Sequence, residues 1–207
     1  MQEHNQFSQK YTSNLDHYVD QTTGVLKNLP NLRDPVELAS VEAAAVVLRT
    51  QELITHPVAK TFDIVHLQAI HARQFQDIYA WAGEIRTVDI SKGDTRFAHF
   101  KRIIPESKKL TDALKKENFL INLNEQEFSS RAAYYMGELN VIHPFREGNG
   151  RSLRQFVSEL AGQAGYCILW ENITQQEMIQ ASINAYHGFY ELLTTLIRNN
   201  LRLFDNC

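Results

Sequence analysis

One proline and two glycines stand between two runs of helical apolar spacing, and they force a helix–loop–helix late in the chain. The nine residues from His143 to Arg151 read His-Pro-Phe-Arg-Glu-Gly-Asn-Gly-Arg. Pro144 disfavours helical backbone at the residue before it. A helix beginning near Glu125 therefore ends at His143 and leaves the imidazole at its C-terminal mouth. Gly148 and Gly150 remove Cβ bulk and permit positive φ, and Asn149 tolerates the left-handed region. Leu153, Phe156, Val157 and Leu160 then resume a helical spacing, from about Gly150 to about Ala164, and Gly165 fits the stop. Phe145, apolar within a polar run, is a peg that fixes the loop in the core.

The same residues carry chemistry. Histidine is the side chain best suited to accept a proton near pH 7. An unshifted His143 would lose activity as pH falls through about 6.5. Glu147 offers a hard oxygen to Mg²⁺ already held by phosphates. The opening turn of the second helix, Gly148 to Gly150, presents N–H groups and a positive dipole end to an anion. Arg151 and Arg154, at i and i+3, share a face beside that end, and arginine matches phosphate oxygens with a forked donor set. Taken singly, each residue has a bland explanation: a turn, a structural histidine, solvated arginines. Their joint occurrence within twelve residues outweighs it.

This segment matches in full the His-x-Phe-x-Asp/Glu-Gly-Asn-Gly-Arg-x-x-Arg signature of the Fic family of protein adenylyltransferases. Further stretches resemble the family: Ile70-His71, Ile78-Tyr79-Ala80-Trp81-Ala82-Gly83-Glu84-Ile85-Arg86, the flap-like Lys92-Gly93-Asp94-Thr95-Arg96-Phe97-Ala98, and Gly165-Tyr166. The resemblance implies a mainly α Fic-type helical bundle with one short β-hairpin flap over the active site. It implies that His143 is the base for a target Ser, Thr or Tyr hydroxyl. Glu147 would hold Mg²⁺ against ATP, and Gly148, Asn149 and Gly150 would cradle the phosphates. Arg151 would reach the β-phosphate region and Arg154 the γ-phosphate, while Lys92 and Gly93 lie near the nucleotide. AMP would pass to the hydroxyl and pyrophosphate would leave. A lysine stands in place of Gly150 in the family's kinase-like branch, so glycine favours AMP transfer. A silent interaction module of the same fold, or a transferase using another nucleotide donor, are the alternatives.

The rest of the chain fits one domain of 207 residues, with an extension over residues 1–33 and the Fic-like domain over 34–207. A hydrophobic content of 43% supports a sizeable core, and the net charge of −3 gives no general reason to expect nucleic acid as a partner. No apolar run reaches membrane-spanning length and no signal peptide is evident. Cys167 and Cys207 make neither a metal-ligand spacing nor a disulfide framework, so the cytoplasm is the default compartment, with delivery into a host cell left open. Helices are expected from Asp34-Pro35 to about Ile54, from about Thr61 to Ala80, from Pro105, from the Thr174–Glu177 capping box toward His187, and from beyond Gly188 to about Phe204. Thr87–Ile90 and Arg96–Phe100 alternate around a Gly-Asp turn, which predicts a hairpin. In the family this flap, spanning about residues 86–100, clamps an extended target segment. Residues 1 to about 33 show no periodicity. His66 and His71, five apart, diverge around a helix, and packing and hydrogen bonding are the roles expected of His71.

Fic enzymes are commonly held inactive by a Ser/Thr-x-x-x-Glu-Gly/Asn helix whose glutamate pairs with the second signature arginine. No Ser or Thr here has that pattern after it. The resemblance therefore points to the branch in which a small separate antitoxin supplies the helix and acts on Arg154.

Overall fold

The computed structural model describes residues 16–206. Seven α-helices follow in order: α1 (Pro35–Thr55), α2 (Ile64–Phe75), α3 (Ile103–Lys116), α4 (Glu125–Ile142), α5 (Asn149–Gln163), α6 (Gln175–Tyr186) and α7 (Glu191–Asn199). Two small antiparallel sheets accompany them, β1 (Ser91–Lys92) with β2 (Thr95–Arg96), and β3 (Tyr166–Ile168) with β4 (Leu201–Leu203). The mainly helical class with one hairpin is as the sequence predicts.

Helix α4 is the hub. It packs against α3, α5, α6 and α7, while α2 lies between α1 and α5. Small residues on α4, Ala132 and Ala133, are fully buried and let its neighbours approach closely. The helix starts are chemically explicit. The Asp34 carboxylate accepts from Val36 N and Glu37 N ahead of Pro35, and Asn124–Glu127 and Thr174–Glu177 both form capping boxes. Each supplies acceptors for N–H groups that no helical carbonyl can reach.

Four boundaries differ from expectation, each for a local reason. Helix α2 stops at Phe75 rather than Ala80, because Ile78, Tyr79 and Trp81 turn away to bury with Tyr18, Val25, Leu38 and Val46 in a second apolar cluster. Helix α3 begins at Ile103, after a 3-10 turn over Phe100–Arg102, so Pro105 sits inside its first turn, where no N–H is needed. The last helix ends at Asn199. Leu201 and Leu203 alternate about Arg202, and that period pairs β4 with β3 in the register Tyr166↔Leu203 and Ile168↔Leu201. The flap ladder is shorter than its alternating stems, Ser91↔Arg96 and Lys92↔Thr95 only, closed by Gly93 at φ 55.

Residues 16–33, without periodicity, nevertheless bury Tyr18 and Val25 and make a bridge between Val19 and Leu26. Residues 1–15 of the expected extension lie outside the described residues. Cys167, on β3, is disulfide-bonded where no disulfide was expected, and Cys207 also lies outside the described residues.

Candidate active site

The loop between α4 and α5 is fastened from both ends. His143 is the C-cap of α4, with φ 50 and ψ 65, and its N–H still reaches Leu139 O. The Pro144 ring excludes the helical region at this position, and the chain takes the left-handed turn instead. Beyond it Asn149 closes the loop on Phe145: Phe145 N donates to Asn149 Oδ1 at 2.9 Å, and Asn149 Nδ2 donates to Phe145 O at 2.8 Å. The side-chain amide thus acts as an extra peptide unit. The left-handed position is Gly148 (φ 82), not Asn149. A Cβ on Gly148 would lie 2.2 Å from Phe75 Cζ, so only glycine fits. Gly150 has neither constraint: its φ is ordinary and a Cβ there would meet nothing within 4 Å.

Buried side chains from elsewhere hold this loop. His71 is wholly buried between Phe75 and Phe145, at ring distances of 4.5 and 3.9 Å. It accepts from Gly83 N through Nδ1 and donates from Nε2 to Glu147 O at 3.0 Å. Burial pushes its pKa down to about 3, so it is the neutral ring that this donor–acceptor pair requires. Arg146 makes a buried 2.6 Å ion pair with Asp16 of the N-terminal segment. Arg86, 1% exposed, spreads its guanidinium over four carbonyls: His143 O, Ile142 O, Val88 O and Ala98 O. Two of these are the open carbonyls at the end of α4, and two are the stems of the flap. Carbonyls that a longer strand ladder would have paired are taken by one side chain.

The His143 ring stacks on Phe97 of the flap, with centroids 3.7 Å apart. Its Nδ1 lies 3.0 Å from Asn140 O. That contact places the ring proton on Nδ1 and the basic lone pair on Nε2. Burial first, then the charges of Arg86 and Lys92, lower its pKa to about 3, against the opposing pull of Asn140 O and Glu147. The imidazole is therefore neutral throughout the physiological range, and an acid limb controlled by His143 would lie well below the 6.5 expected from the sequence.

At the other end of the loop stand the charges. Glu147 Oε1 accepts from Gly148 N at 3.0 Å and, at a long 3.5 Å, from Arg151 Nη2, with which it forms an ion pair. Arg151 Nη2 also donates to Glu42 Oε1 of α1 at 2.5 Å, and its guanidinium sits 4.7 Å over the Phe75 ring. Arg154 is half-buried and makes no hydrogen bond or ion pair among the described residues. It lines a small cavity with Asn140, Gly150, Leu153, Met178 and Ser182. Burial and the neighbouring Arg151 charge lower its pKa, and a guanidinium stays charged regardless. No group of three or more metal-ligating side chains occurs among the described residues, so a cation here would rest on Glu147 and on its ligand's own oxygens.

Lys92 and Gly93 occupy the exposed tip of the flap, whose β2 side is tied to α6 by Tyr186 Oη donating to Arg96 O at 2.9 Å. His66 is remote from the loop. Its Nε2 meets Glu159 at 3.1 Å, a clasp between α2 and α5. Sequence reasoning assigned no role to Arg86, Asp16 or Glu42. For Glu42 there was a signal: it lies on the stripe Leu38, Glu42, Val46, Leu53, where a carboxylate is out of place unless paired.

Residues 61–161 match the Fic/DOC family model. A Salmonella typhimurium protein named as a probable protein adenylyltransferase Fic is 35% identical over 191 residues, which span 92% of this chain and 94% of that protein. The chain belongs to the Fic/DOC family. A second relative, the protein adenylyltransferase VbhT of Bartonella schoenbuchensis, is 46% identical over 94% of this chain, which spans 41% of that protein's length. Among solved Fic structures, BepC of Bartonella tribocorum with bound AMPPNP superposes with a TM-score of 0.84 at 29% identity, covering 90% of this chain and 96% of that one. The N-terminal Fic domain of a Bartonella quintana protein with bound ADP gives 0.83 at 30% identity, covering 90% and 94%.

Proposed function

We propose that the chain transfers AMP from ATP to a hydroxyl of a protein target. The observation that carries the reading is the pairing, in one loop, of a neutral imidazole with two guanidiniums on the first turns of α5, one of them, beside Gly150, without a hydrogen bond or ion pair among the described residues. The relatives named as adenylyltransferases and the neighbours with bound AMPPNP or ADP support it. His143 Nε2 takes the proton from the incoming Ser, Thr or Tyr hydroxyl. The oxygen then bonds to the α-phosphorus as the bond from α-phosphorus to the bridging oxygen breaks and pyrophosphate departs. Gly148, Asn149 and Gly150 form the phosphate cradle at the α5 N-terminus, the Gly148 N–H being shared with Glu147 Oε1, while Arg151 takes the β-phosphate region and Arg154 the γ-phosphate. Mg²⁺, held by Glu147, supplies charge neutralisation on the phosphates when bound. Lys92 and Gly93 cover the nucleotide from the flap.

The target is a protein whose extended segment lies along the flap, where backbone pairing sets register with little demand on sequence. A small inhibitory partner bearing a glutamate would neutralise Arg154, whose empty donors invite a carboxylate. The setting proposed is a cytoplasm, the chain's own or, as for the translocated Bartonella effectors among the structural neighbours, a host cell's. The experiment is incubation of the chain with lysate, Mg²⁺ and ATP labelled at the α-phosphate. Label on protein, released as AMP adducts by mass spectrometry and lost with His143→Ala, is expected. Label from γ-labelled ATP, or from another nucleotide alone, would replace this reading.

A further inference from the structure

Glu42 is a buried carboxylate that the proposed chemistry leaves without a task. It lies on α1, more than a hundred residues before the signature loop, and is 7% exposed. Both its oxygens are engaged. Oε1 accepts from Arg151 Nη2 at 2.5 Å, and Oε2 accepts from the Tyr79 hydroxyl. Desolvation and the Glu42 charge push the Tyr79 pKa up, so the phenol remains the donor of that bond. Arg151 uses only Nη2, so Nε and Nη1 make no hydrogen bond among the described residues.

An anion beside a phosphate-binding arginine weakens the positive field that attracts phosphate. A site keeping one there gains something else by it, and the geometry says what. Beside its short bond to Glu42, Arg151 Nη2 also makes a long 3.5 Å hydrogen bond and ion pair to Glu147 Oε1, one turn back on the same loop. The reading above gives that carboxylate to Mg²⁺. An arginine released from Glu42 would close that long contact, occupy the metal ligand and turn its other donors from the phosphates. Glu42 holds the guanidinium by one corner, against the Phe75 ring, and leaves the other two donor nitrogens directed elsewhere.

We propose that Glu42, braced by Tyr79, is the positioning residue of Arg151, keeping its remaining donors for the nucleotide and Glu147 for the metal. This rests on Arg151 being a phosphate ligand. The test is calorimetric binding of Mg²⁺·AMPPNP to the full chain, with thermal melting as the fold control. Glu42→Ala should weaken binding about tenfold, while Glu42→Gln, which keeps volume and one acceptor, should stay within about threefold of wild type. The deciding measurement is the double-mutant cycle. If Glu42 acts through Arg151, adding Glu42→Ala to Arg151→Met costs nothing further. Additive losses, wild-type binding by Glu42→Ala, or Glu42→Gln as weak as Glu42→Ala, would each overturn the proposal. Should Glu42→Ala not fold, Tyr79→Phe takes its place, with a weakening of about threefold that also vanishes in Arg151→Met. Arg151→Met binding as wild type would instead remove the phosphate role itself, and this inference with it.

Discussion

The signature loop and the flap face one another across the same site and are built on opposite terms. The loop is buried and fixed by side chains that arrive from far away: His71, Arg86, Asp16 and Glu42. The flap is two residue pairs of ladder with an exposed tip, tied at its stems by Arg86, at Phe97 by the His143 ring and at Arg96 by Tyr186. The lesson is a division of labour. The chemistry must be repeated to within fractions of an ångström, so it is over-determined. Target recognition by backbone pairing, as proposed for the flap, would ask only for an edge in the right place.

The contrast can be broken at its strongest point first. His143→Ala should lower AMP transfer by about 10³-fold while leaving Mg²⁺·AMPPNP affinity and melting near wild type, read by label transfer and calorimetry. Transfer within tenfold of wild type would mean that the loop's precision serves something else. Next is Gly148→Ala, which sets a Cβ against the Phe75 ring at a positive φ. It should cost about 3 kcal/mol or more in urea unfolding. A loss under 1 kcal/mol would show a loop softer than its contacts imply.

The buried histidines give a third test, in pH. His71 and His143 both titrate far lower folded, near 3, than an unfolded histidine at about 6.5. The unfolded chain therefore binds the protons first. Stability is full above pH 6.5 and should decline toward pH 3 by about 1 kcal/mol per pH unit for each ring, measured by urea unfolding at several pH values. Transfer should stay level from pH 8 to 5 as far as His143 controls it. The flap comes last. Gly93→Ala should change stability by about 1 kcal/mol or less while lowering target labelling more than nucleotide affinity. Equal losses of both would merge the two regions into one functional unit.

Sequence legibility followed the reach of the interactions. The loop was readable because Pro144, Gly148 and the resumption at Leu153 constrain backbone locally. The capping box at Thr174 was readable for the same reason. The fasteners were not, because Arg86 with Ala98, Glu42 with Arg151 and Asp16 with Arg146 are pairs that only the tertiary fold brings together. The second sheet was hidden by size: Leu201-Arg202-Leu203 continues a helical apolar pattern as well as it alternates, and its partner strand decides the matter. The pKa of His143 was missed because burial under Phe97 belongs to the assembled site, not to the motif.

The two glycines of the loop age differently under mutation. One is pinned by Phe75 and can never change alone. The other fronts vacant space, so a side chain can be tried there without rebuilding anything around it. A scaffold with that arrangement can explore new donor geometries one substitution at a time, its evolutionary latitude confined to a single position while the imidazole stays where it is.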